Sequence, residues 1–104
     1  MDNYTIIRNA IINLQQIKAD FNGYYREMCP HILGTRKGVE YALFYQFGGY
    51  NVTGAIDPNS TKNWLCITID ALTNVKAVTG DWHTGADFFS NTNCIDLIDV
   101  EVTP

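Results

Sequence analysis

Apolar residues recur at three- and four-residue steps only at the start of the chain. Ile6, Ile7, Ala10, Ile11, Leu14 and Ile17 build one stripe, which predicts a packing helix over residues 2–16. Asp2 or Asn3 can cap it by accepting backbone N–H bonds. From Ile17 onward the period falls to two. Residues 17–21 and 24–29 read as strands joined at Asn22-Gly23, a pair that tolerates the positive φ of a two-residue hairpin turn. Pro30 removes a ladder donor, so the second strand is expected to end, bend or run along an edge there. His31 to Leu33 resumes an extended path, and residues 34–38 (Gly-Thr-Arg-Lys-Gly) form a turn with two basic residues at its tip.

Residues 39–47 give the clearest strand. Val39, Tyr41, Leu43, Tyr45 and Phe47 share one face, and Glu40, Ala42, Phe44 and Gln46 the other. Both faces are largely apolar, so this strand should be central and covered on both sides. A polar loop over 50–63 follows, long for a compact domain. Residues 64–70 and 74–78 alternate again. Residues 79–93 are rich in Gly, Asp, Asn and Ser but hold Trp82, Phe88 and Phe89, so they read as an ordered excursion. Residues 94–102 close as an edge strand, with Ile98, Val100 and Val102 on one face and Asp99 and Glu101 on the wet one. One helix and five or six short strands in 104 residues predict a single α+β domain. Its helix (2–16) packs on a small, strongly curled antiparallel sheet or barrel (17–78), followed by the excursion and edge strand (79–104).

Charge changes this picture in one respect. The net charge is −4, but residues 1–40 carry five basic groups against four acids, while residues 41–104 carry two against seven. The acidic half would repel a nucleic-acid backbone, which argues against a sequence-independent coat. A small anion held by the basic half is compatible with it. The start of the chain shows no basic-then-apolar leader, and no apolar run approaches the ~18 residues of a membrane span. A cytoplasmic protein with no membrane partner is expected, its three cysteines (Cys29, Cys66, Cys94) reduced.

Three groups of residues could carry chemistry. Arg26, His31, Arg36, Lys37, Tyr45 and Gln46 combine planar cations suited to phosphate with a stacking ring, a combination that grips nucleotides and unpaired bases. The competing structural assignment pairs Arg26 with Glu27 or Glu40 and puts Tyr45 in the core. Cys29, His31, Cys66, His83 and Cys94 lack the close paired spacing of a structural zinc site, so neither a metal nor another cofactor is expected. Asp81-Trp82-His83-Thr84 has no nucleophile elbow and no oxyanion loop beside it, so no enzymatic activity is expected. Phosphate-loop and dinucleotide fingerprints are absent from the sequence.

The order of these features resembles a known family. A helix running into Leu14-Gln15-Gln16-Ile17-Lys18 leads to the Asn22-Gly23 hairpin, Tyr25-Arg26 and Pro30-His31. A Leu43-Phe44-Tyr45-Gln46 strand and a Trp64-x-x-Ile67-x-Ile69-Asp70 strand come next. Over residues 6–78 this is similar to a stand-alone WYL-type domain, the Sm/SH3-like barrel often appended to bacterial regulators. The Trp-His-Thr stretch at 82–84 also resembles small bacterial proteins of unassigned function. The WYL likeness implies a barrel with a regulatory role that senses an anionic ligand, nucleotide-like or oligonucleotide, through a basic concave face. The chain departs from the pattern in three places. The naming triplet reads Phe44-Tyr45-Gln46, the usual later arginines fall at Thr68 and Ala71, and residues 82–104 have no counterpart. A ligand-binding module is therefore one expectation. The other is a structural or interaction protein that forms a homo-oligomer or partner complex through its C-terminal edge strand.

Overall fold

The computed structural model describes residues 1–57, 59–60, 63–85 and 94–102. Helix α1 spans Asn3–Asn13, shorter than the apolar stripe suggests. Asp2 caps it, its carboxylate accepting the Thr5 N–H at 2.8 Å. Leu14 ends it in the left-handed region (φ 53°), its N–H turned back to the carbonyls of Ala10 and Ile11. The stripe buries Ile7, Ala10 and Ile11, and these anchor the helix to the sheet.

Among the described residues seven antiparallel strands follow: β1 (Gln16–Phe21), β2 (Tyr24–Arg36), β3 (Val39–Asn51), β4 (Gly54–Ala55), β5 (Trp64–Thr68), β6 (Thr73–Val78) and β7 (Leu97–Glu101). The chain is thus α+β, with one helix on a strongly curled sheet that closes into a half-barrel. The hairpins β1–β2 and β2–β3 turn at Asn22-Gly23, as expected, and at Lys37-Gly38, tighter than the five-residue turn read from the sequence. Each turn places both residues at positive φ, the geometry that matches strand twist.

The β2–β3 hairpin is the spine, and Pro30 is its pivot. Along one edge β2 pairs with β3 from Arg26 to Arg36. Along its other edge it pairs first with β1 (Tyr24–Met28) and then with β7 (Ile32–Thr35). The register shifts between Pro30 and Ile32, so His31 is a bulged residue opposite no partner in β3. The strand therefore neither ends at Pro30 nor lies wholly on an edge; it bends there and changes neighbours. The bulge also reverses the alternation of faces. Met28 before it and Leu33 after it both enter the main core, although an unbroken strand would point them oppositely.

β3 is covered on both sides, as its two apolar faces require. Ala42 and Phe44 join the main core beneath α1, with Ile7, Ile11, Ile17, Met28, Leu33 and Ile67. Leu43 and Tyr45 join a second core with Ile32, Trp64 and Ile95. Phe44 is wholly buried, and truncating it to alanine should cost about 3–5 kcal/mol. The long polar loop contains the short β4 turn, and a single 3-10 turn (Ile69–Ala71) links β5 to β6. Of the expected excursion, residues 79–85 are ordered and Trp82 packs on the main core; Phe88 and Phe89 lie outside the described residues.

Candidate functional site

The six residues expected to form a ligand site fall into three separate places. Arg26 stands near the start of β2, opposite Gly49. Arg36 stands at its far end, opposite Val39. Nine strand residues lie between them, and the span would be roughly 30 Å if β2 were straight. Arg36 and Lys37 are exposed at the hairpin tip. They do not join the others.

Arg26 and Gln46 form the first place. Arg26 is 6% exposed and Gln46 is fully buried. The guanidinium donates from Nη1 to Gln46 Oε1 at 3.1 Å and from Nε to the Phe21 carbonyl at 3.3 Å. It lies 4.9 Å from the ring centre of Phe21 and 5.8 Å from that of Tyr24. Gln46 in turn donates to the carbonyls of Gly48 and Tyr50. Among the described residues no carboxylate pairs with Arg26. Glu27, one of the two partners suggested by sequence, instead meets Lys18 at 3.7 Å and the Tyr25 hydroxyl at 3.0 Å. Burial lowers the Arg26 pKa from its ordinary value.

His31 and Tyr45 form the second place, an aromatic cluster rather than an open face. His31 is buried edge-on against Trp64 (centroids 4.8 Å) and beside Trp82 (5.0 Å). Its Nδ1 lies 2.8 Å from the Cys29 carbonyl, which can only accept, so the proton sits on Nδ1. Nε2 is then left to accept from the Thr84 hydroxyl at 3.0 Å. Burial pushes the His31 pKa down to about 4, so the ring is neutral at pH 7. Tyr45 packs against Trp64 at 5.1 Å, in the core as the structural alternative had it.

Residues 80–85 lie across this cluster, and sequence reasoning did not foresee that. Gln16 Nε2 donates to the Asp81 carbonyl at 2.7 Å. The His83 N–H donates to the Cys29 thiol at 3.3 Å, and the His83 ring stacks on Phe47 at 4.0 Å. Gly85 rests on the Tyr45 ring so closely that a Cβ would overlap it. The three aromatics noted in the excursion were the only sequence signal of such a docking.

The cysteines overturn one expectation. Cys66 and Cys94 are joined by a disulfide, with Cα atoms 6.5 Å apart, and only Cys29 is a thiol. The three are therefore not all reduced. Folding brings β5 and the segment leading into β7 together, and a separation of 28 residues in sequence gave no sign of it. Burial raises the Cys29 pKa to about 11, so its thiol is protonated and unreactive. Among the described residues no three His, Cys, Asp or Glu side chains gather as metal ligands would. No helix among them is long and apolar enough to cross a membrane.

A further candidate lies at the other end of the sheet. Among the described residues β7 pairs only with β2, so its outer edge is open. Leu97 and Ile98 on it are 73% and 47% exposed. Beside it runs a groove lined by Ile11, Ile12, Leu14, Val100, Glu101 and Val102. Asp99, at the β7 bulge, accepts from the Tyr4 hydroxyl at 2.6 Å and pairs with Arg8 at 3.2 Å. No family model, no curated protein and no solved structure matches this chain.

Proposed function

We propose that this protein is an interaction module whose β7 edge pairs with the β7 edge of a second copy. The observation that carries the proposal is a β7 edge left unpaired among the described residues, with Leu97 and Ile98 exposed beside the Ile12–Leu14 groove. An uncovered strand edge offers a row of backbone donors and acceptors to another strand. An antiparallel two-fold pairing centred on Asp99 sets Ile98 against Val100 of the copy. Two carboxylates meeting at the centre would ordinarily oppose this. Here Arg8 and the Tyr4 hydroxyl already satisfy each Asp99. Light scattering after size exclusion should give a dimer at tens of micromolar, and Ile98→Lys should give a monomer. A wild-type monomer throughout a concentration series would overturn the proposal.

A second reading rests on Arg26. A nearly buried guanidinium with no carboxylate among the described residues, against two aromatic rings, suits an anionic ligand of nucleotide type. The WYL likeness supports this reading; the dispersal of Arg36 and Lys37 weakens it. A nucleotide and short-RNA screen should raise the melting temperature of the wild type and leave Arg26→Met unmoved. If nothing shifts the wild type, the reading fails.

The disulfide bears on location. Disulfides persist in oxidising compartments and are transient in the cytoplasm. Cytoplasmic residence, expected from the sequence, requires this bond to be reversible. Trapping thiols in intact cells before lysis reads the ratio of the two forms directly.

A further inference from the structure

α1 and β6 run side by side in one direction. At their start the Asn3 side chain donates to the Leu72 carbonyl at 3.0 Å, and past the end of the helix Gln16 pairs with Val78. Their lengths are similar, about 16 Å for the helix and about 20 Å for the strand. Among the described residues β6 pairs only with β1, so its other edge is open. Between β6 and the helix lies a groove of about 620 Å³. Ile6, Val75 and Ala77, partly buried against the main core, give it an apolar floor.

Asn9, Asn13 and Gln15 add three carboxamides to this groove. Among the described residues their one side-chain hydrogen bond runs from Asn9 Nδ2 to the Met1 sulfur at 3.9 Å, a weak acceptor. Asn9 and Asn13 stand four residues apart, about 6 Å along the helix axis. An extended chain turns an N–H and a C=O to the same edge at every second residue, about 6.6 Å apart. A carboxamide carries both a donor and an acceptor, so the two asparagines match two successive main-chain groups of such a chain.

Lys76 is the only charged side chain on the lining. It stands between Val75 and Ala77, so its side chain takes the opposite face of the strand, straight across from Lys18. Lys18 has Glu27 at 3.7 Å, whereas Lys76 has no carboxylate partner among the described residues. Like charges directly opposite each other on a sheet repel. A strand laid beside β6 would relieve this with an acid at one defined position.

We propose that the groove binds an extended segment of a partner protein, added to β6 as a further strand, with an acidic residue opposite Lys76 and an apolar residue on either side of it. The acid shares the face of Lys76. The two apolar side chains take the other face, over Ile6, Val75 and Ala77. The open edge of β6 supplies main-chain pairing, and Asn9 and Asn13 bond the segment from the helix side. The site is separate from the β7 edge, which belongs to the strand paired with β2.

The probe is a phage-displayed library of random heptapeptides, panned against the full chain. Enriched sequences should share an apolar, Asp or Glu, apolar core. No enrichment, or a consensus without the central acid, would overturn the proposal. The consensus peptide is then made and its Kd measured by calorimetry. Lys76 is exposed, so Lys76→Glu should fold; it should weaken that peptide about tenfold and, when panned itself, select Lys or Arg at the centre. A lysine placed there only to keep other strands away would leave the selected sequence unchanged, and that result also overturns the proposal. Asn9→Ala/Asn13→Ala should weaken binding about tenfold. Bound peptide should slow amide exchange along residues 75–78; unaltered exchange there would rule out strand addition. Ile98→Lys should bind the peptide as the wild type does, so this site and the β7 pairing stand or fall separately.

Discussion

The Thr84 hydroxyl lies 3.0 Å from Nε2 of His31, so the bulge at the centre of β2 is tied to a residue 53 positions further along. This makes stability depend on pH in a definite direction. The folded His31 pKa is about 4, below the ordinary value of 6.5. Between these values the unfolded chain binds more protons than the folded one. The contribution is therefore fully present above pH 6.5 and is lost as pH falls toward 4, by as much as about 3 kcal/mol. Urea unfolding at pH 7, 5.5 and 4.5 should show this decline, and His31→Gln should flatten it. Equal slopes in both proteins would assign the decline to other groups.

Tyr4 reaches from the first turn of α1 to Asp99 in β7 at 2.6 Å. Burial, then the hydrogen bond to Asp99, raises the Tyr4 pKa to about 12. The same bond is the main reason the Asp99 pKa lies below its ordinary value. Tyr4→Phe should cost about 1 kcal/mol. The loss should concentrate in β7, where amide exchange quickens while the β2–β3 amides keep their protection. Even loss of protection across the sheet would mean that Tyr4 does not hold β7 in particular.

Gly34 is where β7 docks on β2. A Cβ there would collide with the Leu97 carbonyl and crowd the Ile95 side chain. Gly34→Val should displace β7 and cost more than about 2 kcal/mol, because backbone cannot yield as a flexible side chain does. If chemical denaturation shows a cost below about 1 kcal/mol, β7 does not sit this close.

Leu14 ends the helix at φ 53°, a region that penalises a side chain with a Cβ. It is also 53% exposed, so little packing is lost on its removal. Leu14→Gly should stabilise by about 1 kcal/mol, raising the melting temperature by roughly 4–8 °C for a domain of this size. A lower melting temperature would show that the groove contact of Leu14 outweighs its backbone strain.

Local pattern was enough for much of the fold. Period alone separated the helix from the strands, since a three-to-four-residue stripe and a two-residue alternation bury different faces. Asn22-Gly23 fixed its hairpin, because those residues accept the backbone that the turn demands. The two apolar faces of residues 39–47 required a central strand with a core on each side, and the two clusters divide across it.

What only the tertiary structure decided is where distant residues meet. A bulge at His31 reverses the faces of β2 and sends its two halves to different partners. No local pattern encodes that, because it depends on β1 and β7 arriving at the same edge. The disulfide belongs to the same class, since cysteines 28 residues apart carry no sign of proximity. So does the division of the six candidate residues. Arg26, His31 and Arg36 share one strand in the sequence. Burial and position along β2 place the first against Gln46, the second beneath Thr84 and the third at the exposed hairpin tip.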